Sequence, residues 1–424
     1  MTASLWLKNA RIIDPAHQRD AIGDLYVHDG KIVAQLSPEQ QQSADCLDLS
    51  GKIVCPGFVD LNVHLREPGD THKERIGSGT EAAARGGYTT LVCMSNTKPP
   101  VDNAGTVQLI KDAIARHARV NVYPTGCLTI GREGQKLAPT GSLKEAGVIA
   151  VTDGGHCIQN TEIMRRSIEY AAMFGLTVID HCQDISLTEG AVMNEGEWSL
   201  RLGLRGMPTA AEDIMVARDV ILAAHTQAHI HLQHLSSGYA LDIVRRAKQR
   251  GIPVTAETTP HHLSLNDSYL QNYDPNFKML PPLRSEVDRQ ATVEAVLDGT
   301  LDCISTCHAP HTATDKDCEF DYAPFGVIGL ETAFSVSYAT LVQPQLCDLP
   351  FLLARMTHKP AKILGLDKGT LAVGKDADIT VIDLEQNWTV TTDNLASLSK
   401  NSPWLGKELP AKVVMTFVKG KRVW

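Results

Sequence analysis

A regular alternation of strand-like and helix-like segments runs through the middle of this 424-residue chain and limits the folds open to it. Eight short apolar runs read as buried strands, and most are separated by segments of helical spacing. The strand candidates are 53–60, 89–94, 120–124, 148–153, 177–181, 229–234, 253–257 and 302–306. Eight such units predict a (β/α)8 barrel of the TIM type. A Rossmann-like sheet is the alternative, but it needs a glycine-rich phosphate loop after its first strand, and residues 60–69 do not form one.

The two ends of the chain show strand-like runs without the alternating helical segments of the middle. No helical periodicity appears before about residue 57, and residues 5–13 and 24–36 read as strands, the second broken by a hairpin signal at Asp29-Gly30. After about residue 366 strand-like runs return at 378–384 and 412–418. These patterns predict an α/β protein in which residues 1–56 and 367–424 form one small composite β-sandwich domain beside a barrel of residues 57–366.

Composition excludes several classes of function. A net charge of −9 without a basic patch argues against binding to nucleic acid. No run of 18 apolar residues predicts a membrane span, and the start of the chain lacks a signal-peptide pattern. The ten cysteines are scattered without a CxxC pair, as is typical of reduced thiols, so we expect a cytoplasmic protein.

Polar side chains recur where the predicted barrel strands end, which is where barrels carry their reactive groups. A lone histidine is more often a core or surface residue than a ligand, but several here occupy equivalent places in the topology. Imidazoles and carboxylates converging at one end of a barrel predict a metal centre. The residues at these ends are Asp60, Asn62, His64 and Arg66 after the first strand, Asn96 after the second, Asp153 after the fourth, His181 and His234 after the fifth and sixth, and Cys307 and His311 after the eighth.

Many short motifs in this order resemble the long bacterial type I dihydroorotases of the amidohydrolase superfamily, from about residue 5 to the last strand. They include Pro56-Gly57-Phe58-Val59-Asp60, His64-Leu65-Arg66-Glu67-Pro68-Gly69, Met94-Ser95-Asn96-Thr97, Asp180-His181-Cys182, Gln233-His234-Leu235-Ser236, Pro260-His261-His262-Leu263 and His308-Ala309-Pro310-His311. The resemblance implies a zinc-dependent barrel enzyme of pyrimidine biosynthesis, converting dihydroorotate and N-carbamoyl-L-aspartate.

The metal set that the resemblance implies is incomplete in this chain. His64, Asp153, His181 and His234 match metal ligands of the family. Asn62 stands where the family has the first histidine of a His-x-His, and Cys307 stands where it has an aspartate that is both ligand and general base. An amide is a poor zinc donor, and a general base is typically worth about 10²–10⁴-fold in rate. The two losses together predict a degenerate zinc site.

The positions that bind substrate in the family match more fully than the metal ligands do. Arg66, Asn96 and His311 match the positions that hold the dihydroorotate carboxylate, and an arginine suits bidentate carboxylate binding. Leu280 departs from the family, which usually has an asparagine there. The pair His261-His262 can be read as a cap of its loop.

The leading hypothesis is a non-catalytic, dihydroorotase-like protein. The resemblance then implies a structural partner of the aspartate carbamoyltransferase catalytic chain, in a mixed oligomer of six plus six chains. This hypothesis expects no cofactor, with one residual zinc left open. One alternative is an active zinc dihydroorotase with an atypical metal site. Another is hydrolysis of a different cyclic amide, as in allantoinases and hydantoinases, which the carboxylate-binding set of Arg66, Asn96 and His311 disfavours.

Overall fold

The computed structural model describes residues 4–424, so the first three residues of the predicted N-terminal segment lie outside it. Its strands fall into a barrel, one large composite sheet and two small ribbons. In chain order the strands are β1 (Ser4–Asp14), β2 (Arg19–His28), β3 (Lys31–Val33), β4 (Asp45–Asp48), β5 (Ile53–Pro56), β6 (Phe58–Val63), β7 (Tyr88–Cys93), β8 (Asn121–Pro124), β9 (Ala150–Val151), β10 (Thr177–Asp180), β11 (Met193–Asn194), β12 (Gly206–Met207), β13 (Ile230–Leu232), β14 (Val254–Thr258), β15 (Cys303–Ile304), β16 (Ile379–Asp383), β17 (Trp388–Thr389), β18 (Glu408–Leu409), β19 (Lys412–Val418) and β20 (Lys421–Arg422).

Most of the longer helices lie between barrel strands, as the helical spacing predicts. The helices are α1 (Pro38–Ser43), α2 (Ile76–Arg85), α3 (Ala104–His117), α4 (Thr140–Ala146), α5 (Thr161–Met173), α6 (Ile185–Thr188), α7 (Glu197–Leu202), α8 (Ala210–Thr226), α9 (Gly238–Gln249), α10 (Pro260–Ser264), α11 (Glu286–Leu297), α12 (Ala313–Lys316), α13 (Ala333–Ser337), α14 (Leu349–Met356) and α15 (His358–Ile363). Local sequence sets several starts: Asn103 caps α3 and Ser285 caps α11 by accepting hydrogen bonds from backbone N–H groups of the first turn.

The barrel consists of parallel strands that close into a ring. Strands β6, β7 and β8 form one arc, and β9, β10, β13, β14 and β15 form the other. Parallel bridges between Gly126 and Val151, and between Val63 and His308, join the arcs on both sides. Both β6 and β7 are buried along their whole length, as expected for parallel strands covered by helices. The predicted barrel is therefore confirmed, and an open sheet is excluded.

The first predicted barrel strand, 53–60, is wrong in one respect because it is two strands. Strand β5 pairs with β1 and β16 of the composite sheet, whereas β6 pairs with β7 of the barrel. Gly57 separates them, and its N–H donates to the carbonyl of Asp378 (2.9 Å). A continuous apolar run carries no periodicity signal for such a change of partner.

Both ends of the chain contribute to a single eight-stranded sheet, which confirms the predicted composite β domain. Its order is β20-β19-β16-β5-β1-β2-β3, with β4 pairing beside β1. A separate apolar core lies against this sheet, including Leu7, Ile12, Val54, Val381 and Phe417. Within residues 4–424 no helix is long and apolar enough to span a membrane.

Candidate functional site

A cavity of about 180 Å³ opens at the carboxyl ends of the barrel strands. It gathers residues from most of the strand ends, together with the segments that follow β14 and β15. The predicted site residues that line it are Asn62, His64, Arg66, Asn96, His181, His234, Leu280, Cys307 and His311. Gln233, His261, Met279 and Phe325 also line it. Of the residues predicted at the strand ends, Asp60 and Asp153 are missing from this lining.

Asn62 is tied to the barrel interior. Its Nδ2 donates to Oε1 of Glu257 (3.2 Å), and Glu257 also accepts hydrogen bonds from Ser305 and from Nε2 of His231 (3.2 Å). Glu257 is fully buried, so these three donors satisfy a carboxylate that would otherwise be costly to bury. The amide of Asn62 therefore serves a hydrogen-bond network beneath the cavity.

His64 is held from the neighbouring strand end. Its Nδ1–H donates to Oδ1 of Asn96 (2.9 Å), which leaves Nε2 as the unprotonated nitrogen of a neutral ring. Burial lowers the pKa of His64 to about 3, and the positive charge of Arg66 acts in the same direction. The ring thus stays neutral at ordinary pH, with the carbonyl oxygen of the Asn96 side chain already engaged.

His181 and His234 contact each other directly. Nδ1 of His181 lies 3.3 Å from Nε2 of His234, and Nε2–H of His181 donates to Oε1 of Gln183 (2.8 Å). The remaining nitrogen of His234, Nδ1, is buried without a hydrogen-bond partner. Burial lowers the pKa of both rings. A spacing of 3.3 Å suits a hydrogen bond, and it is also roughly the separation of two nitrogens at about 2.0–2.1 Å from one tetrahedral zinc.

Asp153 does not meet these histidines. One of its oxygens accepts from the backbone N–H groups of Leu128 (2.8 Å) and Thr129 (3.0 Å), and the other accepts from the Thr129 hydroxyl. Asp153 borders a different, wider cleft together with Arg132 and His156. The structure therefore does not bring the carboxylate of Asp153 to the other predicted metal ligands. The loop after β8 supplies the groups that donate to Asp153. The periodicity that predicts strands does not reveal contacts made by a loop.

Cys307 brings a neutral thiol to the cavity. Burial raises the pKa of this thiol to about 12, with further contributions from Glu257 and Asp60. A protonated thiol does not act as a base. No aspartate or glutamate of residues 4–424 is among the residues that line the cavity.

The residues present do not complete a zinc site. A catalytic zinc takes three protein ligands, and the structure brings the nitrogens of two predicted ligands, His181 and His234, to a suitable spacing of 3.3 Å. Within the described chain, ligand atoms of three or more His, Cys, Asp or Glu residues come within 4.8 Å of one another in two groups, and neither is the predicted set. These groups are His231, Glu257 and Cys303, and Asp180, Cys182 and Asp219. Donors already serve the carboxylates of both, since Arg218 pairs with Asp180 and Asp219.

Arg66 provides the strongest charge in the cavity. Its Nε donates to the carbonyl of Pro310 (3.3 Å), and no carboxylate of residues 4–424 lies within the 4.0 Å of an ion pair. Burial lowers the pKa of its guanidinium, which nonetheless remains charged. An enclosed cation without an acidic partner is costly, and it marks this end of the cavity as suited to an anion.

His311 lies beside Arg66, but its ring is fully used by the protein. Nε2–H donates to the carbonyl of Phe325 (2.9 Å), and Nδ1 accepts from the ammonium of Lys73 (3.4 Å). Burial lowers the pKa of His311 to about 3, and Arg66 adds to this effect. The guanidinium of Arg66 is thus the group of this pair with donors left for a ligand.

Sequence reasoning missed two features of the site. His261, read as a loop cap, lines the cavity, whereas His262 bonds the Thr259 hydroxyl (2.8 Å) and the Pro281 carbonyl (3.1 Å). Asn401, from the C-terminal part of the chain, holds the loop that carries His311 (3.0 Å). The first could be found from its place after β14, but nothing in the local pattern marks the second.

The closed parallel barrel, the imidazoles at its strand ends and the composite β domain define an amidohydrolase-type protein. A model described as "Dihydro-orotase-like" matches residues 51–239, and one described as "Amidohydrolase family" matches residues 330–424. The chain is 45% identical to a dihydroorotase of Endomicrobium trichonymphae and 47% identical to one of Geobacter metallireducens, with 99% of each chain covered in both cases. The chain belongs to the dihydroorotase family.

Solved structures agree on the fold. An L-hydantoinase from Arthrobacter aurescens superposes with a TM-score of 0.88 at 23% identity, covering 100% of this chain and 96% of that one. A dihydropyrimidinase from Brevibacillus agri superposes with a TM-score of 0.85 at 21% identity, covering 99% and 94%. At these identities the likeness concerns the barrel and the β domain alone.

Proposed function

We propose that this chain is a non-catalytic member of the dihydroorotase family that acts in pyrimidine biosynthesis. The observation that carries the proposal is the absence of any carboxylate among the described residues lining the cavity. Amide hydrolysis at neutral pH needs a group that takes a proton from water, and such a base is typically worth about 10²–10⁴-fold. The neutral thiol of Cys307 does not supply one.

The surroundings of the site support the same proposal. Asn62 has become a donor to Glu257 (3.2 Å), and Asp153 is held by Leu128 (2.8 Å) and Thr129. Each arrangement satisfies the polar groups concerned, so neither is a vacancy that a zinc ion would fill without rearrangement. The barrel and composite domain are nevertheless complete. A protein with a complete barrel and composite domain but no general base is better suited to a structural role than to catalysis.

For that role we propose the aspartate carbamoyltransferase catalytic chain as partner, with this chain stabilising a mixed oligomer. The support is the resemblance of the whole chain to dihydroorotases, together with the altered positions 62 and 307. Arg66 is proposed to keep a binding end for a carboxylate such as that of dihydroorotate. The residues predicted as substrate anchors then act as a ligand site, with Arg66 and Asn96 as the direct contacts.

The test measures turnover and assembly on the same preparation. The chain is co-expressed with the transcarbamoylase chain, and the purified complex is assayed for dihydroorotate hydrolysis and for cyclisation of N-carbamoyl-L-aspartate. The dihydroorotase of Geobacter metallireducens serves as positive control. We expect co-elution with no turnover above background. Turnover approaching that of the control would overturn the non-catalytic role, and separate elution would overturn the partnership.

A double reversion, Asn62→His with Cys307→Asp, examines whether these two replacements alone account for the lost chemistry. We expect the variant to stay far below the control enzyme because Asp153 remains bonded to Leu128 and Thr129. Cys307→Ser alone is the matched control for changes in the loop. Turnover regained by the double variant would show that Asp153 turns into the cavity when a full set of partners is present.

An active dihydroorotase with an atypical metal site is the second candidate. The observation in its favour is the 3.3 Å spacing of the His181 and His234 nitrogens, which suits two ligands of one zinc. Metal analysis of protein purified without chelators decides between them. About one tightly held zinc per chain, lost in His181→Ala and accompanied by dihydroorotate hydrolysis, would favour this candidate. Metal-free protein without hydrolysis would exclude it.

A further inference from the structure

The anion-binding end of the cavity is held together by a segment that belongs to neither barrel loop. Residues 395–401, here called the strap, come from the C-terminal region and contact both the loop after β6 and the loop after β15. The strap contacts the loop after β6 through Ser399, whose hydroxyl donates to the carbonyl of Lys73 (2.6 Å). The buried carboxylate of Glu74 accepts from the N–H of Leu398 (3.1 Å) in the same region.

Asn401 makes the contacts of the strap with the other wall. Its Oδ1 accepts from the N–H of His311 (3.0 Å), and its Nδ2 donates to the carbonyls of Ala309 and Gly326 (both 3.1 Å). Its own carbonyl accepts from the N–H of Ile328 (2.9 Å). Asn401 is only 4% exposed, so water does not reach its amide to take over any of these hydrogen bonds.

Asn401 is linked to the guanidinium of Arg66 through the backbone of Pro310. The Ala309–His311 loop is fixed at both ends by Asn401, and the carbonyl between them, of Pro310, accepts from Nε of Arg66 (3.3 Å). Nearby, Gly326 has a φ of 129°, and a Cβ there would lie 2.7 Å from that of Ala309. The two segments that Asn401 joins are therefore packed at the closest approach a backbone allows.

We propose that Asn401 is a positioning residue for the carboxylate site, setting the place of the Arg66 guanidinium through the Ala309–His311 loop. The proposal rests on the proposed function only in naming a carboxylate as the ligand. It adds a residue from outside the barrel to that site. Without Asn401, two carbonyls and one N–H lose their buried partner, and Pro310 loses its fixed orientation.

The first test compares two ligands that differ by the carboxylate. Binding of L-dihydroorotate and of 5,6-dihydrouracil, the same ring without a carboxylate, is measured by calorimetry for the native chain, Asn401→Ala and Asn401→Asp. We expect dihydroorotate to bind at least about 10-fold more weakly to both variants, with dihydrouracil unchanged. Asn387→Ala is the matched control, because that exposed asparagine bonds only Glu408 (2.8 Å). Equal weakening of both ligands, or unchanged dihydroorotate binding, would overturn the proposal.

The second test needs no ligand and so separates this proposal from the proposed function. The rate at which phenylglyoxal modifies Arg66 is followed by peptide mass spectrometry. Arg246, whose guanidinium pairs with Asp242 of the same helix α9, is the internal reference. Loss of positioning in Asn401→Ala should raise the Arg66 rate several-fold while the Arg246 rate stays constant. An unchanged Arg66 rate would overturn the role of Asn401. If the native chain binds neither ligand but the Arg66 rate rises, the carboxylate site is wrong and the positioning role stands.

Discussion

Arg66 and Arg218 are two enclosed arginines with opposite surroundings. Arg218 lies between Asp180 (3.3 Å) and Asp219 (2.8 Å). Burial acts to lower its pKa, but these two carboxylates outweigh burial and leave the pKa raised. Arg66 donates to the carbonyl of Pro310 and lines the cavity, and burial lowers its pKa. Breaking a buried ion pair leaves uncompensated charge, whereas removing a lone buried cation relieves it. Arg218 therefore stabilises the fold, whereas Arg66 lowers stability and serves ligand binding.

This contrast gives a paired prediction. Arg66→Met should abolish dihydroorotate binding while leaving the free energy of unfolding unchanged or raised by about 1 kcal/mol. Arg218→Met should lower that free energy by about 3–5 kcal/mol, since Asp180 and Asp219 lose their cation. Urea unfolding and calorimetry measure both effects. An Arg66→Met variant as unstable as Arg218→Met would identify Arg66 as a structural residue.

Asn62 yields a second prediction at the same scale. Asn62→Ala removes one of three donors to Glu257 and should cost about 1–3 kcal/mol of stability. Asn62→Asp puts a second buried carboxyl against Glu257 and should cost more. This cost should grow as pH rises from about 4 to 7, because the unfolded chain loses the proton that the buried carboxyl keeps. Urea unfolding of the two variants across this range gives the comparison. A difference between them that does not grow with pH would contradict the Asn62–Glu257 contact.

Among the elements, the junction of β5 and β6 is closely packed. The chain leaves one sheet and enters another within a single residue, Gly57, which packs on the side chain of Thr89. A Cβ at Gly57 would lie 2.1 Å from Oγ1 and 2.2 Å from Cγ2 of Thr89. Both strands are buried, so neither side has room to yield. The absence of a side chain at this position is thus a condition for joining the two domains.

Gly57→Ala should accordingly lower stability by about 1–3 kcal/mol through overpacking. Gly23→Ala is the control, because Gly23 lies within β2 with its nearest atom, on Arg19, at 3.8 Å from the added Cβ. That control should be neutral or slightly stabilising. Thermal unfolding of the two variants distinguishes them, and equal melting temperatures would contradict the tight junction.

For the whole molecule, the number of buried neutral imidazoles matters more than any one of them. Burial lowers the pKa of His229 and of His262 to about 4, and those of His64 and His311 to about 3. In the unfolded chain each would titrate near 6.5. Below that pH the unfolded state takes up protons that the folded state refuses, so folding stability is lost as pH falls from about 7 toward 4.

We therefore expect these histidines to lower the free energy of unfolding as pH falls from 7 to 5. Asp60 and Glu331 act in the opposite direction over this range, because burial raises the pKa of each carboxyl to about 7. His229→Gln should make this decline shallower, whereas His225→Gln, at an exposed position, should leave it unchanged. Urea titrations at half-unit pH intervals provide the measurement. A decline as steep in His229→Gln as in the native chain would mean that the ring of His229 is protonated in the folded protein.

Sequence patterns predicted the barrel and most of the cavity because both follow from periodicity. Side chains at equivalent strand ends, such as Asn62, His181 and His234, must meet once the strands close into a ring. Asp153 escaped this logic because its direction depends on N–H groups of Leu128 and Thr129 in a loop. Asn401 escaped it because its partners are 75 to 92 positions away.

The order of the composite sheet has a consequence for the chain during its synthesis. Strand β5 lies between β1 and β16, so one of its edges stays unpaired until Ile379–Asp383 has left the ribosome. At about 5–20 residues per second, the roughly 320 residues in between take about 16–65 s. Through that interval the nascent N-terminal strands present an apolar, unsatisfied edge of the kind that recruits other chains. Folding to the native sheet therefore requires that this edge avoid pairing with other chains until the last strands emerge.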